Sequence, residues 1–193
     1  MLKNLSLLSS CLLLSATLFA QTSPSAEHSS VSVWAGAEIS TFNPDYGCED
    51  SSPFTCWDHQ LLGITPFVDA NHLIFQRLGA EGEARFLPWR GPGSGMTQSN
   101  YLAGPRVGLL NVKGKFFFTG KFLMGLGHID LPPHGTGSGN YFVYAPGAVF
   151  DFKLKKKLIA RVDYEYQLWP SFLGGGGLTP NGFSFGLSYA LLK

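Results

Sequence analysis

The stretch LIARVDYEYQLW, residues Leu158–Trp169, decides the fold. Leu158, Ala160, Val162, Tyr164, Tyr166 and Leu168 occupy every second position, and Arg161, Asp163, Glu165 and Gln167 lie between them. Successive side chains of a strand point to opposite faces, so this segment is a strand with one greasy face and one polar face. Charges of opposite sign recur at two-residue spacing, which lets them pair along one wall.

The same alternation recurs along the chain. It predicts strands at Ser30–Phe42, Leu61–Asn71, Arg77–Trp89, Tyr101–Leu110, Lys115–Ile129, Tyr141–Lys153 and Gly182–Leu192, besides the opening stretch at Leu158–Trp169. In the first strand Val31, Val33, Ala35, Ala37 and Ile39 oppose Ser32, Gly36, Glu38 and Ser40, with Trp34 an intruder on the polar side. In the third, Leu78, Ala80, Ala84 and Phe86 oppose Glu81, Glu83 and Arg85; in the last, Phe183, Phe185, Leu187, Tyr189 and Leu191 oppose Gly, Ser and Ala. Eight strands of roughly ten residues or more suit a tilted bilayer crossing. The connections alternate long and short without exception. An up-and-down meander therefore collects the long loops at one end of a closed antiparallel barrel and the short turns at the other.

Alternation alone does not say which face points inward, because a soluble lipocalin-like barrel alternates with its greasy face inside. The polar face here is Gly, Ala and Ser interleaved with charges of both signs, which suits a narrow lumen. The opposite face carries Phe or Tyr at most positions of the sixth and eighth strands, which suits lipid. Trp89 and Trp169 at the long-loop end, with Phe116, Phe118 and Phe152 at the other, are expected to form aromatic girdles. The expected lumen set is Glu38, Asp69, Glu81, Glu83, Arg85, Arg106, Lys121, Asp151, Arg161, Asp163 and Glu165. Unpaired charges in so narrow a space are costly, so Arg85, Arg106, Lys121 and Arg161 are each expected to meet a carboxylate. Pro66, Pro88, Pro105 and Pro146 interrupt the strands and lack a ladder donor. Pro88 is placed beyond the ladder, and Pro105 and Pro146 at bulges.

The 193-residue chain fits one domain, and its formal net charge of +1 gives no pull toward nucleic acid. Lys3 followed by an almost charge-free Leu5–Ala20 and then small residues reads as a secretory signal peptide, 1–20, cleaved after Ala20. Residues 21–29 form a Ser-rich disordered leader, and 30–193 the barrel. Cys48 and Cys56 then remain in a polar loop of an exported chain. A local disulfide fits them better than a metal pair with Asp58 and His59, since one C-x7-C without a second pair is a weak zinc pattern.

Ser184-x-Gly186-x-x-Tyr189-x-Leu191 in the last strand is similar to the assembly signal of outer-membrane barrels. With the export signal, the amphipathic strands and the alternating loop lengths, the mature chain resembles the barrel-only outer-membrane proteins of the OmpA/OmpX-like superfamily. The resemblance implies an all-β, eight-stranded transmembrane barrel in the cell outer membrane. It also implies handling by the barrel-assembly machinery.

The sequence holds no H-E-x-x-H, G-x-S-x-G or Walker loop. Eight-stranded lipid A deacylases and palmitoyl transferases have similar size and need a nucleophile and base near the membrane rim. His128, Asp130, His134 and Ser138 lie near that rim without matching either motif. The reading is a non-enzymatic outer-membrane barrel with no cofactor or metal. Outer-membrane lipid surrounds it, its lumen is closed by ion pairs, and its long loops offer a surface for an extracellular ligand. A lipid A-modifying enzyme and a soluble lipocalin-like binding barrel are the alternatives.

Overall fold

The computed structural model describes residues 31–45, 60–74, 77–90, 97–130, 138–172 and 176–192. The expected signal peptide and leader, and Cys48 and Cys56, lie outside them. Eight strands close into one antiparallel barrel: β1 (Ser32–Asn43), β2 (Leu61–Ile74), β3 (Leu78–Arg90), β4 (Thr97–Val112), β5 (Phe116–Asp130), β6 (Gly139–Lys155), β7 (Leu158–Tyr166) and β10 (Asn181–Leu192). A small hairpin, β8 (Trp169–Phe172) and β9 (Gly176–Leu178), stands between β7 and β10. Each barrel strand pairs with its chain neighbours, and β10 closes the ring on β1 in a register that matches Ala37 with Leu187 and Ser40 with Ser184.

The period-two pattern sets the sidedness. Ile39, Val68, Phe118, Phe150, Val162, Tyr164, Phe185 and Leu191 all point outward and are exposed. Glu81, Glu83, Arg85, Lys121, Arg161, Asp163 and Glu165 are all buried inside. This is the reverse of a soluble binding barrel. The β4–β5 connection is a three-residue turn, Lys113–Lys115, in which Lys113 and Gly114 both have positive φ and the Lys115 amide donates to the Val112 carbonyl at 3.1 Å. Asn111 Oδ1 accepts from the Gly114 amide at 3.0 Å and steadies it.

Several expectations are corrected. Trp169 is not part of an outer girdle: it has the same parity as Arg161 and Glu165, and its ring is fully buried inside the barrel. Pro105 and Pro146 do not mark bulges. Pro105 pairs with Ala80 and Pro146 with Phe122 in unbroken register, so each merely forgoes one donor while its ring faces outward. Pro88 lies within β3, beside a register shift between Leu62 and Ile64. β4 begins at Thr97 rather than Tyr101, because Gln98 and Asn100 are polar residues that face inward and leave no hydrophobic alternation to read. β2 runs on past Asn71 through His72, which takes a positive φ. The β8–β9 hairpin lies in a stretch of Pro and Gly that carries no strand signal.

Glycine provides the floor under the inward aromatics. A Cβ at Gly36 would stand 2.5 Å from the Phe67 ring, one at Gly127 2.3 Å from Trp169, and one at Gly182 2.6 Å from Phe42. Gly36→Val should therefore displace Phe67 and cost about 1–3 kcal/mol, the usual penalty of overpacking. Urea titration of the refolded chain checks this, and an unchanged midpoint would contradict the packing.

Candidate functional site: a layered, charged barrel interior

Three layers fill the interior. Toward the long-loop end Phe42, Leu61, Leu87, Leu102, Leu123, Ile129, Val143 and Trp169 form one apolar cluster, joined by Leu178 from β9. Toward the short-turn end Trp34, Ile159 and Ala190 form a smaller one. The ionic side chains lie between them.

Within that middle layer β3 and β7 stand four steps apart on an eight-strand ring, directly across the barrel. Arg85 Nη1 of β3 reaches Glu165 Oε1 of β7 at 2.6 Å, and Arg85 Nη2 lies 2.9 Å from Glu83. Lys121 Nζ sits between Glu81 at 3.1 Å, Glu83 at 3.0 Å and Glu165 at 3.2 Å, and also donates to Asp163. Nearer the short turns, Asp69 and Glu81 are directly opposed across β2–β3, a repulsive arrangement taken alone. Arg106 Nη1 resolves it, 2.7 Å from Asp69 and 3.1 Å from Glu81. Arg161 crosses the lumen to the same pair, 2.6 Å from Asp69 and 3.3 Å from Glu81. Arg161 Nε also donates to Asp151 Oδ1 at 2.8 Å.

Glu38 shares the interior but not the pairing. It makes no ion pair with the described residues, and its Oε1 is buried without a hydrogen-bond partner. Among the described residues seven carboxylates face four cations in the interior. Glu81, Glu83 and Asp163 converge closely enough to hold a metal ion, but the Lys121 ammonium already occupies their centre.

Sequence reasoning passed over the residues that tie the ionic layer to its walls. Phe42 and Phe67 point inward, and the Arg85 and Arg161 guanidinium carbons each lie 4.1 Å from a ring centroid, over Phe42 and Phe67 respectively. Gln167 Oε1 accepts from Asn100 at 3.0 Å, Gln98 at 3.3 Å and Trp169 Nε1 at 2.9 Å, while its Nε2 donates to Glu165 at 2.7 Å. That amide couples the apolar layer to the ionic one. Ser184, Ser40 and Thr65 form a hydroxyl chain, at 2.7 and 2.6 Å, that ends on Arg85 Nε. Parity was the available signal for most of them: Phe42 and Ser40 share a face with Glu38, Phe67 and Thr65 with Asp69, and Gln98 and Asn100 with Arg106, whereas Ser184 lies on β10, which carries no charge.

Elsewhere, Ser184 and Gly186 of the last strand face inward, and Tyr189 and Leu191 outward. His128 pairs with Asn140 across β5–β6 at 2.9 Å on the exposed side, and Asp130 is exposed at the end of β5. His134 lies outside the described residues.

Solved structures share this architecture at low identity. Neisserial surface protein A aligns at 11% identity and a TM-score of 0.53, covering 82% of this chain and 96% of that one. Ail, the attachment invasion locus protein of Yersinia pestis, aligns at 15% identity and 0.53, covering 83% and 97%. The outer membrane protein OprG from Pseudomonas aeruginosa aligns at 12% identity and 0.55, covering 85% and 97%. Neither a protein-family model nor a curated protein matches the chain. The chain has the fold of the eight-stranded outer-membrane barrels.

The pairing separates the carboxylates. Glu165→Gln strips charge from a group held by both Arg85 and Lys121, and should cost about 3–5 kcal/mol. Glu38→Gln should leave stability within about 1 kcal/mol of the parent, because no ion pair is lost. Urea unfolding followed by tryptophan fluorescence distinguishes the two, and equal losses would contradict the assignment.

Proposed function

We propose that the chain is a non-enzymatic outer-membrane barrel with a structural or surface-interaction role, acting through its long loops. One observation carries this reading: the outer wall is apolar around the barrel and the ionised side chains are enclosed. In water such a wall would expose far more contiguous apolar surface than a monomer tolerates. In a bilayer, closure pairs the backbone groups and the wall meets hydrocarbon.

The rest follows from that placement. Export through a cleaved signal at 1–20 brings the chain to the barrel-assembly machinery, which reads Ser184, Gly186, Tyr189 and Leu191. Short turns face the periplasm and long loops the outside. An ionic layer bounded by apolar layers at both ends fits a lumen closed to ions. Two of the three compared barrels bear the names of a surface protein and an attachment protein, which favours loop-mediated contact with an extracellular ligand. A disulfide between Cys48 and Cys56 would brace the first loop. His128 is hydrogen-bonded to Asn140; Ser99 of β4 stands opposite it, but among the described residues no hydrogen bond joins the two as nucleophile and base, so a lipid A-modifying activity has no supporting observation.

Membrane fractionation with gel mobility before and after heating tests the reading. The protein should sediment with the outer membrane and change mobility on boiling. Recovery in the soluble periplasm, with no heat-dependent shift, would contradict it. Val162→Arg, at the centre of β7, should further cost about 2–4 kcal/mol of stability in lipid. On a water-facing wall it would cost almost nothing.

A further inference from the structure

The net charge of +1 conceals a strong polarity. The β4–β5 and β6–β7 turns are neighbours: the Lys153 amide donates to the Lys115 carbonyl at 2.9 Å, and Phe116 faces Phe152 with ring centroids 4.8 Å apart. Lys113, Lys115, Lys153 and Lys155 therefore gather at one place on the short-turn rim, and none forms an ion pair with a described residue. Lys157 adjoins them, its Nζ 6.0 Å from the centroid of the outward-facing Tyr189 ring. Asp151, the carboxylate nearest to Lys153 in sequence, faces the interior and is committed to Arg161 and Arg106. The opposite end carries Asp45 and Asp130, and the sequence between β1 and β2 adds Glu49, Asp50 and Asp58.

Apolar residues interleave with these lysines. Val112 precedes Lys113, Leu154 separates Lys153 from Lys155, and both apolar side chains are exposed. Phe116 and Phe150 continue the greasy wall directly behind them. A basic rim resting on an outward aromatic band has the chemistry of a hydrocarbon–headgroup boundary: the stems lie along apolar surface and the ammonium groups reach for phosphate. A soluble polyanion would need no apolar residues in the patch.

We propose that this lysine cluster binds the phosphate headgroups of anionic glycerophospholipids in the leaflet at the short-turn end. The inference rests on the membrane reading and goes beyond it by naming the lipid class and the seam of the wall that holds it. Each lysine near an anionic surface contributes a fewfold gain in affinity, and the attraction is screened by salt.

The test uses the full chain, refolded into phosphatidylcholine vesicles with and without phosphatidylglycerol. Spin-labelled lipids of each headgroup report association with the barrel by electron paramagnetic resonance. Phosphatidylglycerol should associate at least about fivefold more than phosphatidylcholine at low salt. That preference should collapse in molar salt, and fall to near unity in the inserted K113Q/K115Q/K153Q/K155Q variant. An inserted wild-type protein with no preference overturns this inference and leaves the membrane reading standing. So does a preference that persists in molar salt, a result that decides the matter even where the variant fails to insert. A wild-type protein that inserts into neither vesicle overturns both.

Discussion

The contact from Arg85 to Glu165, 2.6 Å across the barrel, exists only when the ring is closed. β3 and β7 are not hydrogen-bonded neighbours, and nothing but closure brings their side chains together. The same holds for Arg161 with Asp69, whose short path around the ring runs through the closing β1–β10 pair; Lys121 and Asp163 are separated only by β6. Charges taken from water need close partners, and here the partners come from opposite walls. Pairing and closure therefore depend on each other. The interior also fixes the register, because a slip of one residue in any strand would turn its charges onto the apolar face and its Phe or Leu into the ionic layer. Glycine under Phe42, Phe67 and Trp169 leaves room for rings and guanidinium groups in a lumen this narrow.

Much of this was legible in the chain, for a physical reason. Where one face is charged and the other aromatic, as in β7, parity alone places every side chain. Where both faces are mixed, the signal fades. Phe42 and Phe67 look like members of an oily face until their parity with Ser40 and Asp69 is counted. Trp169 suits a girdle by composition, yet its parity with Glu165 and Gln167 takes it inside. Gln98 and Asn100 carry no hydrophobic contrast, so the start of β4 reads as loop. The β8–β9 hairpin arises from backbone pairing among Pro and Gly, which no side-chain pattern announces. Which carboxylate meets which cation was not legible either, since cross-lumen distances depend on the stagger of the closed sheet rather than on spacing along one strand.

The distribution of charge gives the molecule its character. Among the described residues four cations and seven carboxylates are enclosed, lysines collect at the short turns, and Asp45 and Asp130 lie at the long-loop end. The wall between the two ends is apolar. A chain that looks nearly neutral in composition is thus sorted into an ionic interior, an oily belt and a lysine-rich rim at the short turns. Gln167 joins two of these zones, accepting from Trp169 in the apolar layer and donating to Glu165 in the ionic one.

The central claim is that the outward face meets hydrocarbon while the inward face is sealed from both lipid and water. Site-directed spin labelling in bilayers addresses it most directly, in a chain whose native cysteines are replaced by serine. Labels at Val162→Cys and Phe185→Cys, outward on β7 and β10, should be accessible to molecular oxygen and shielded from a water-soluble nickel complex. A label at Ser188→Cys, inward on β10, should be shielded from both. Access of the nickel complex to the Val162 and Phe185 positions would contradict the account.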